Sequence, residues 1–260
     1  MSGFDAARFA AERAALGLEW GEPLSWHDAT DSTNDDAAVA AKRGAPHGAV
    51  FGAETQARGR GRRGSEWVST PGAGLWFSLL LRPRFGAELA PALALCAGLA
   101  VRAAVAPRVA AEVLVKWPND VLAGGRKLAG ILVESQLSGA QIASVVIGIG
   151  INVAQREFPA PLADIATSLA LLAANDLSRE RLLADVLSRL EGELSRLERE
   201  GMAGVAEALA PHDALFERRL KVDALVGQGA GIDPSGRLRL RLADGSVELI
   251  ASGHVEVLTA

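Results

Sequence analysis

One cysteine, Cys96, is all the thiol chemistry this 260-residue chain possesses. It lies in the apolar run Ala90 to Val101, which suits a buried core residue, and a lone cysteine excludes an internal disulfide and a thiolate metal site. Histidine is as sparse: His27, His47, His212 and His254 are scattered without the paired spacing of a metal site. No serine, histidine and acid set and no reactive cysteine points to covalent catalysis. Apolar runs of about 18 residues are missing, so no membrane partner is expected. Met1 to Leu18 carries Asp5, Arg8, Glu12 and Arg13 instead of a signal-peptide core, and the expected location is cytoplasmic. Positive charge is in deficit overall. A formal net charge of −4 and a pI near 5.7 argue against a general nucleic-acid coat, which draws its affinity from phosphate neutralisation over a surface. No internal repeat or low-complexity linker occurs, and 49% hydrophobic content supports a full core with room for a small second domain.

Against that deficit, Gln56 to Gly64 packs four arginines and three glycines into nine residues. Glycines at alternate positions prevent a regular helix or strand and let backbone N–H groups and guanidinium forks converge on phosphate or carboxylate oxygens. An RGG-like nucleic-acid segment would be repeated and tail-located, whereas this one occurs once between apolar strands. A merely solvated loop has no need of alternate glycines. A mobile, anion-binding loop is the favoured reading, and it is not a phosphate loop of the Gly-x-x-x-x-Gly-Lys-Ser/Thr kind.

The flanking pattern is α+β. Asp5 to Leu18 has helical spacing and supplies one short helix, too little for a helix-turn-helix module, so no DNA-binding head is expected. Strands are predicted at Leu24 to Asp28, Ala49 to Glu54, Gly74 to Leu81, Val113 to Trp117, Lys127 to Glu134 and Ser144 to Ile151. Helices are predicted at Asp35 to Arg43, Leu89 to Ala106 and Ser178 to Arg199, the last amphipathic. Beyond His212 short alternating segments, Arg219 to Val226, Gly236 to Leu242, Val247 to Ile250 and Val255 to Leu258, are separated by Gly, Asp and Pro turns and suggest a small SH3-like β-barrel. The expected division is 1–211 and 212–260.

Other constellations carry chemistry only in company. In Lys116-Trp117-Pro118-Asn119-Asp120 the proline stops a strand and leaves a cation, an amide and a carboxylate at its end, where ligand sites often lie. Taken alone, it is also a plain strand-ending turn. Lys127 at the mouth of an apolar strand either snorkels or faces an anion. Gly148 and Gly150 inside a strand mark packing, a bulge or a close approach, and Asn152 after them offers donor and acceptor to a heterocycle. Ser32, Thr33 and Asn34 are neutral hydrogen-bonding groups that also suit a helix cap.

In this order, Asp31-Ser32-Thr33-Asn34, Gln56 with Gly59-Arg60-Gly61-Arg62-Arg63-Gly64 and Trp67, Lys116 to Asp120, Lys127 to Leu132, and Gly148 to Asn152 closely resemble biotin protein ligase. The resemblance covers Leu24 to Val153 by motif and the remainder by layout. It looks like the short class that lacks an N-terminal DNA-binding domain. The implied fold is a central mixed β-sheet flanked by helices, of the class II synthetase-like kind, followed by the SH3-like barrel.

The resemblance implies that biotin and ATP give biotinyl-5′-AMP, whose biotinyl group passes to a lysine of the biotin carboxyl carrier protein of acetyl-CoA carboxylase. Carried over by position, Ser32, Thr33, Asn34 and Gln56 serve the ureido ring. Gly130, Ile131, Leu132 and Gly150 form an apolar floor. Arg60, Gly61 and Arg62 run along the carboxylate and phosphate, with Lys127 and Arg62 catalytic. Lys116, Trp117, Asn119 and Asn152 complete the ATP site, and Asp120 helps to hold Mg²⁺. No DNA partner is expected, and a homodimer stays open. Arg58 stands where the family has a small residue, and Ala57 replaces a polar one. The other readings are a lipoate or octanoate protein ligase and a nucleic-acid-binding regulator. The first would not be expected to combine the arginine loop with Lys-Trp-Pro-Asn-Asp; the second would use the arginines on phosphates.

Overall fold

The computed structural model describes residues 3–83, 86, 89, 92–138 and 141–258. Short apolar runs bounded by turns become the strands of one seven-stranded sheet. They are β1 (Leu24–His27), β2 (Val50–Ala53), β3 (Gly74–Leu81), β4 (Val113–Lys116), β5 (Asp120–Ala123), β6 (Arg126–Ser138) and β7 (Gln141–Asn152), in the spatial order β1-β2-β3-β7-β6-β5-β4. Only β1 and β2 pair in parallel; every other neighbour is antiparallel, which makes the sheet mixed.

Helices α1 (Ala6–Ala15), α2 (Thr33–Lys42), α3 (Ala92–Val105) and α4 (Arg179–Leu209) complete this layer. Asp5 caps α1 by accepting from the N–H groups of Ala7 and Arg8. The crossover helix α2 covers one face, where Ala37 and Ala41 join Phe51, Leu80 and Val146. On the other face α3 and α4 bury Phe77, Leu79, Ile131, Ile147 and Ile149. Covered on both faces, all eight residues of β3 are buried, which is why its sequence is nearly continuous in apolar residues. Cys96 lies in this core, and burial raises its thiol pKa well above the ordinary range.

Four sequence expectations shift. Helix α2 begins at Thr33, two residues before the predicted start, because Ser32 takes the extended N-cap conformation. Strand β5 was not predicted; it alternates half-buried and buried residues over only four positions. Helix α4 runs past Arg199 to Leu209 across a kink at Gly201, whose φ of 65° glycine adopts without strain. The predicted segment Arg219 to Val226 is two strands joined at Asp223 and Ala224. Ala90 and Pro91, near the start of the predicted Leu89 to Ala106 helix, fall outside the described residues.

The second sheet is antiparallel and five-stranded, as the predicted SH3-like unit requires. It contains β8 (Arg219–Val222), β9 (Leu225–Ile232), β10 (Leu238–Arg241), β11 (Val247–Ile250) and β12 (Val255–Val257), in the order β11-β10-β9-β8-β12. Leu220, Val222, Leu238, Leu240 and Val255 are its buried side chains. Two bonds fasten it to the first sheet beside β4: Ala214 N–H donates to the Val115 carbonyl (3.0 Å), and the Trp117 indole to the Gly236 carbonyl (3.0 Å). Among the described residues no helix is long and apolar enough to cross a membrane.

Candidate active site

Strand register brings distant motifs into one line. Lys116 opposes Asp120, Asp120 opposes Gly130, Gly130 opposes Gly150, and Gly150 opposes Trp76. Opposed residues of antiparallel strands share a face, so two charged side chains end where two glycines open the sheet. Lys127, three residues before Gly130, would alternate to the other face in regular pairing. A bulge intervenes: Val121 opposes Ala129 but Leu122 opposes Lys127, and the extra residue, Leu128, returns Lys127 to the site face. There its Nζ lies 2.7 Å from Asp120 Oδ1 and 5.4 Å from the centre of the Trp67 ring.

The glycines are required by what lies on them. A Cβ on Gly150 would stand 2.7 Å from Trp67 Cε2, one on Gly130 2.8 Å from Trp67 Cζ3, and one on Gly148 2.2 Å from Asn34 Oδ1. Trp67 therefore covers the floor that Gly130 and Gly150 open. Its buried indole N–H has no hydrogen-bond partner among the described residues, leaving a donor for a ligand. Leu132 shares the site face at half burial, whereas Ile131 alternates away and packs in the α3 and α4 core, so its contribution to the floor is backbone.

The N-terminus of α2 lies over the next row. Ser32, Thr33 and Asn34 are all buried, and Ser32 makes no side-chain cap. Gln56 Oε1 accepts from Thr33 N–H (2.9 Å) and Thr33 Oγ1 (3.2 Å), while its Nε2 donates to Ser69 Oγ (3.3 Å). Ser78 Oγ donates to Asn34 Oδ1 (2.6 Å) and stands 2.8 Å from Thr33 Oγ1. Asn34 Nδ2 in turn donates to Glu134 (2.6 Å). The three residues are thus a neutral polar wall, in which Thr33 is held by Gln56, as the sequence suggests, and Thr33 and Asn34 also by Ser78 and Glu134, to which the motifs assign no role. Ser78, the single polar residue in an otherwise apolar strand, was the legible signal among them.

Cations surround the charged end. Burial lowers the Lys116 pKa, with Asp120 opposing that effect and Lys127 adding to it. Arg62 begins a single 3-10 turn, Arg62 to Gly64, and its NH1 stands 3.5 Å from Asn119 Oδ1. Partial burial depresses its pKa. Arg60 faces two carboxylates, Asp35 and Glu134, while Arg58 pairs with Asp31 in solvent and Arg63 is exposed. Asn119 is fixed by donating to the Ile131 carbonyl (2.8 Å), and Asn152 by donating to that of Thr167 (2.9 Å). Trp117 is buried with its ring in the joint to the second sheet, so any part it takes at the nucleotide is indirect.

Two anchors were missed in sequence. Glu54, just before Gln56, receives two bonds from the buried Arg179 and one each from Trp26 and the Phe4 N–H. Thr167 N–H donates to the Lys127 carbonyl (2.8 Å), and its buried hydroxyl has no hydrogen-bond partner among the described residues. A separate groove of about 630 Å³, lined by Ser25, His27, Asp31, Asp35, Val39 and Arg58 among others, contains neither lysine nor floor glycine and is not the candidate. Among the described residues no cluster of three His, Cys, Asp or Glu side chains could hold a metal unaided.

Comparison with known proteins shows what the whole chain is similar to. The model of the biotin/lipoate A/B protein ligase family matches residues 27–152. The bifunctional ligase/repressor BirA of Bacillus subtilis is 35% identical over 244 residues, 91% of this chain and 74% of its own. The biotin--[acetyl-CoA-carboxylase] ligase of Mycobacterium tuberculosis is 36% identical over 87% of this chain and 85% of its own. Biotin protein ligase from Aquifex aeolicus, solved with biotin and ATP, superposes with a TM-score of 0.79 at 29% identity over 92% of this chain and 100% of that one.

Proposed function

The chain belongs to the biotin/lipoate A/B protein ligase family, as one of its biotin protein ligases, and from that premise we propose how its residues divide the work. It activates biotin with ATP to biotinyl-5′-AMP and transfers biotin to a specific lysine of the biotin carboxyl carrier protein of acetyl-CoA carboxylase. The observation that carries the residue roles is the line Lys116, Asp120, Gly130, Gly150, with Lys127 brought beside Asp120 by the bulge: two ammonium groups about one carboxylate, beside a floor stripped of side chains.

In the first step a biotin carboxylate oxygen attacks the α-phosphorus, and pyrophosphate leaves with the electrons of the broken P–O bond. Two anions must meet, so fixed cations lower the barrier. Lys127, at the floor's edge, serves the carboxylate and α-phosphate; Lys116 serves the departing phosphates; Arg62 with the Gly61 backbone approaches from the loop. Thr33, Asn34 and Gln56, with Ser32, suit the neutral ureido ring because they bring no charge. Asn119 and Asn152 line the nucleotide side. In the second step the neutral amine of the carrier lysine attacks the acyl carbon, AMP leaves, and the new amide nitrogen loses one proton.

Mg²⁺ fits this set through Asp120, whose second oxygen lies outside its pair with Lys127. Such ions are commonly held by one or two carboxylates together with substrate phosphates, and this one would neutralise triphosphate charge. Residues 1–211 form the catalytic part and 212–260 the SH3-like part. The net charge of −4 favours a protein without a DNA partner, and the charged residues Asp5, Arg8, Glu12 and Arg13 near the N-terminus favour a cytoplasmic location.

Incubating the protein with biotin, ATP and a carrier domain tests the reading. Carrier labelling and pyrophosphate release are expected, both lost in Lys127→Ala. Labelling from lipoate or octanoate instead would move the protein across the family, and salt-sensitive DNA binding without pyrophosphate release would defeat the enzymatic reading.

A further inference from the structure

The first half of the arginine loop is fastened down. Ala57 and Arg58 donate their N–H groups to the carbonyls of Thr30 and Asp31 (both 2.8 Å), and Thr30 bridges Gln56 in parallel register. The side chains repeat the pattern. Arg58, in the turn that follows Gln56, and Arg60, two residues on, reach the acids Asp31 and Asp35, four apart around the start of α2.

Arg60 is the better held. Its NH1 and NH2 donate to the two oxygens of Asp35 at 2.8 and 2.7 Å, and NH2 stands 3.5 Å from Glu134. This is the two-pronged geometry that makes arginine pairs specific, on a carboxylate that the α2 N-terminus also favours. Arg62, by contrast, makes no ion pair among the described residues; its NH1 donates to Asn119 Oδ1 at 3.5 Å. From Gly61 to Ser65 the loop backbone is tied only to itself among the described residues, by Gly61 N–H to Ser65 (2.7 Å) and Ser65 N–H to Arg62 (3.2 Å); its return is bridged to Arg60 at Glu66 and bonded to the Gly59 carbonyl by Trp67 N–H (2.9 Å).

We propose that Asp35 is a positioning residue for the ligase reaction: through Arg60 it fixes the loop as far as Arg60, so that the chain hinges from Gly61 and Arg62 is the loop cation that meets the anion. The proposal rests on the function given above and narrows the role that motif position alone assigns to Arg60. Asp35 is not placed against biotin or nucleotide, yet retention of the activated intermediate depends on it.

The test compares wild type with Asp35→Asn, Asp35→Glu, Arg60→Ala and the Asp35→Asn/Arg60→Ala double variant. With biotin and ATP but no carrier, escape of the adenylate is read as labelling of bystander lysines on serum albumin. A half-exposed ion pair supports an increase of about two- to fivefold in Asp35→Asn. Its biotin KM should stay unchanged, Asp35→Glu should restore retention, and the double variant should leak no more than Arg60→Ala. Hydrogen exchange, which needs no activity, should show faster exchange in Asp35→Asn at Arg58 and Trp67, whose N–H groups donate to the Asp31 and Gly59 carbonyls, and no change beyond Trp67. Bystander labelling at the wild-type rate in Asp35→Asn, or multiplying effects in the double variant, would overturn the proposal. A wild type that releases no pyrophosphate would sink the ligase function itself, and the exchange measurement would still decide the tether.

Discussion

Lys127 Nζ stands 2.7 Å from Asp120 Oδ1 on neighbouring strands whose regular pairing would put the two side chains on opposite faces. The Leu128 bulge aims the lysine, and Asp120 holds it extended beside Trp67 and Gly130. Losing one preorganised donor to developing negative charge generally costs about 100- to 1000-fold in rate. Lys127→Ala should therefore lose pyrophosphate release on that scale while its melting temperature stays near wild type. Asp120→Asn, which releases the lysine from its partner, should lose less. Equal rates in Lys127→Ala and wild type would remove Lys127 from the chemistry.

Trp67 lies where Gly130 and Gly150 make room, and a methyl group on either would press on its ring at under 3 Å. Gly150→Ala should raise the biotin KM severalfold and cost about 1–3 kcal/mol of stability, as overpacking does. Adding Trp67→Ala removes the clash and should recover the stability but not the biotin affinity. Calorimetric titration with biotin separates the two effects, and an undisturbed affinity in Gly150→Ala would move the floor elsewhere.

Local features of the sequence were enough to find the loop, its flanking strands and the Pro-Asn-Asp turn, because apolar runs and turn residues are local signals. Strand β5 was hidden: four residues between a proline turn and a Gly-Gly turn, with only Val121 and Ala123 buried, give no periodicity to count. The line from Lys116 to Gly150 needed strand register and a bulge, which depend on pairing across the sheet. Asp35 looked like an ordinary acid in a helix's first turn, and its arginine lies 25 residues away. Glu54 was more remote still, since the arginine that neutralises it is 125 residues distant.

Glu54 and Arg179 form the most buried ion pair among the described residues, with side-chain exposures of 12% and 4%. Burial alone would raise the Glu54 pKa; the bonds from Arg179, Phe4 and Trp26 overcome it and hold the carboxyl below the ordinary value of 4.5. A carboxyl depressed on folding stabilises the protein above its unfolded pKa, and that contribution is lost as pH falls through the folded one. Thermal melting of wild type should thus decline below about pH 4.5, more steeply than in Glu54→Gln. Arg179→Met strands a buried carboxylate and should cost about 3–5 kcal/mol near neutrality. Parallel melting curves for wild type and Glu54→Gln across the acid range would refute the assignment.

Trp117 couples the second sheet to the turn that carries Lys116 and Asn119, the side proposed for the nucleotide, because its buried ring sits between Lys116 and Pro118 and its indole N–H ends on the Gly236 carbonyl. The receiving turn is tied together through Asp233. Although burial opposes it, bonds from the Arg237 and Ser235 N–H groups, the Ser235 hydroxyl and the Arg237 guanidinium lower the Asp233 pKa to about 2. Trp117→Phe keeps the ring and deletes only the donor, a change worth about 1 kcal/mol. Since Lys116 and Asn119 flank the altered residue while the ureido wall lies on α2, the ATP KM should rise several-fold and the biotin KM should not move. Asp233→Ala, which loosens the turn without touching the catalytic sheet, should shift the ATP KM in the same direction. Steady-state pyrophosphate release with each substrate varied in turn decides it. Equal effects on both constants would mean that the joint supports the fold as a whole and not the nucleotide side.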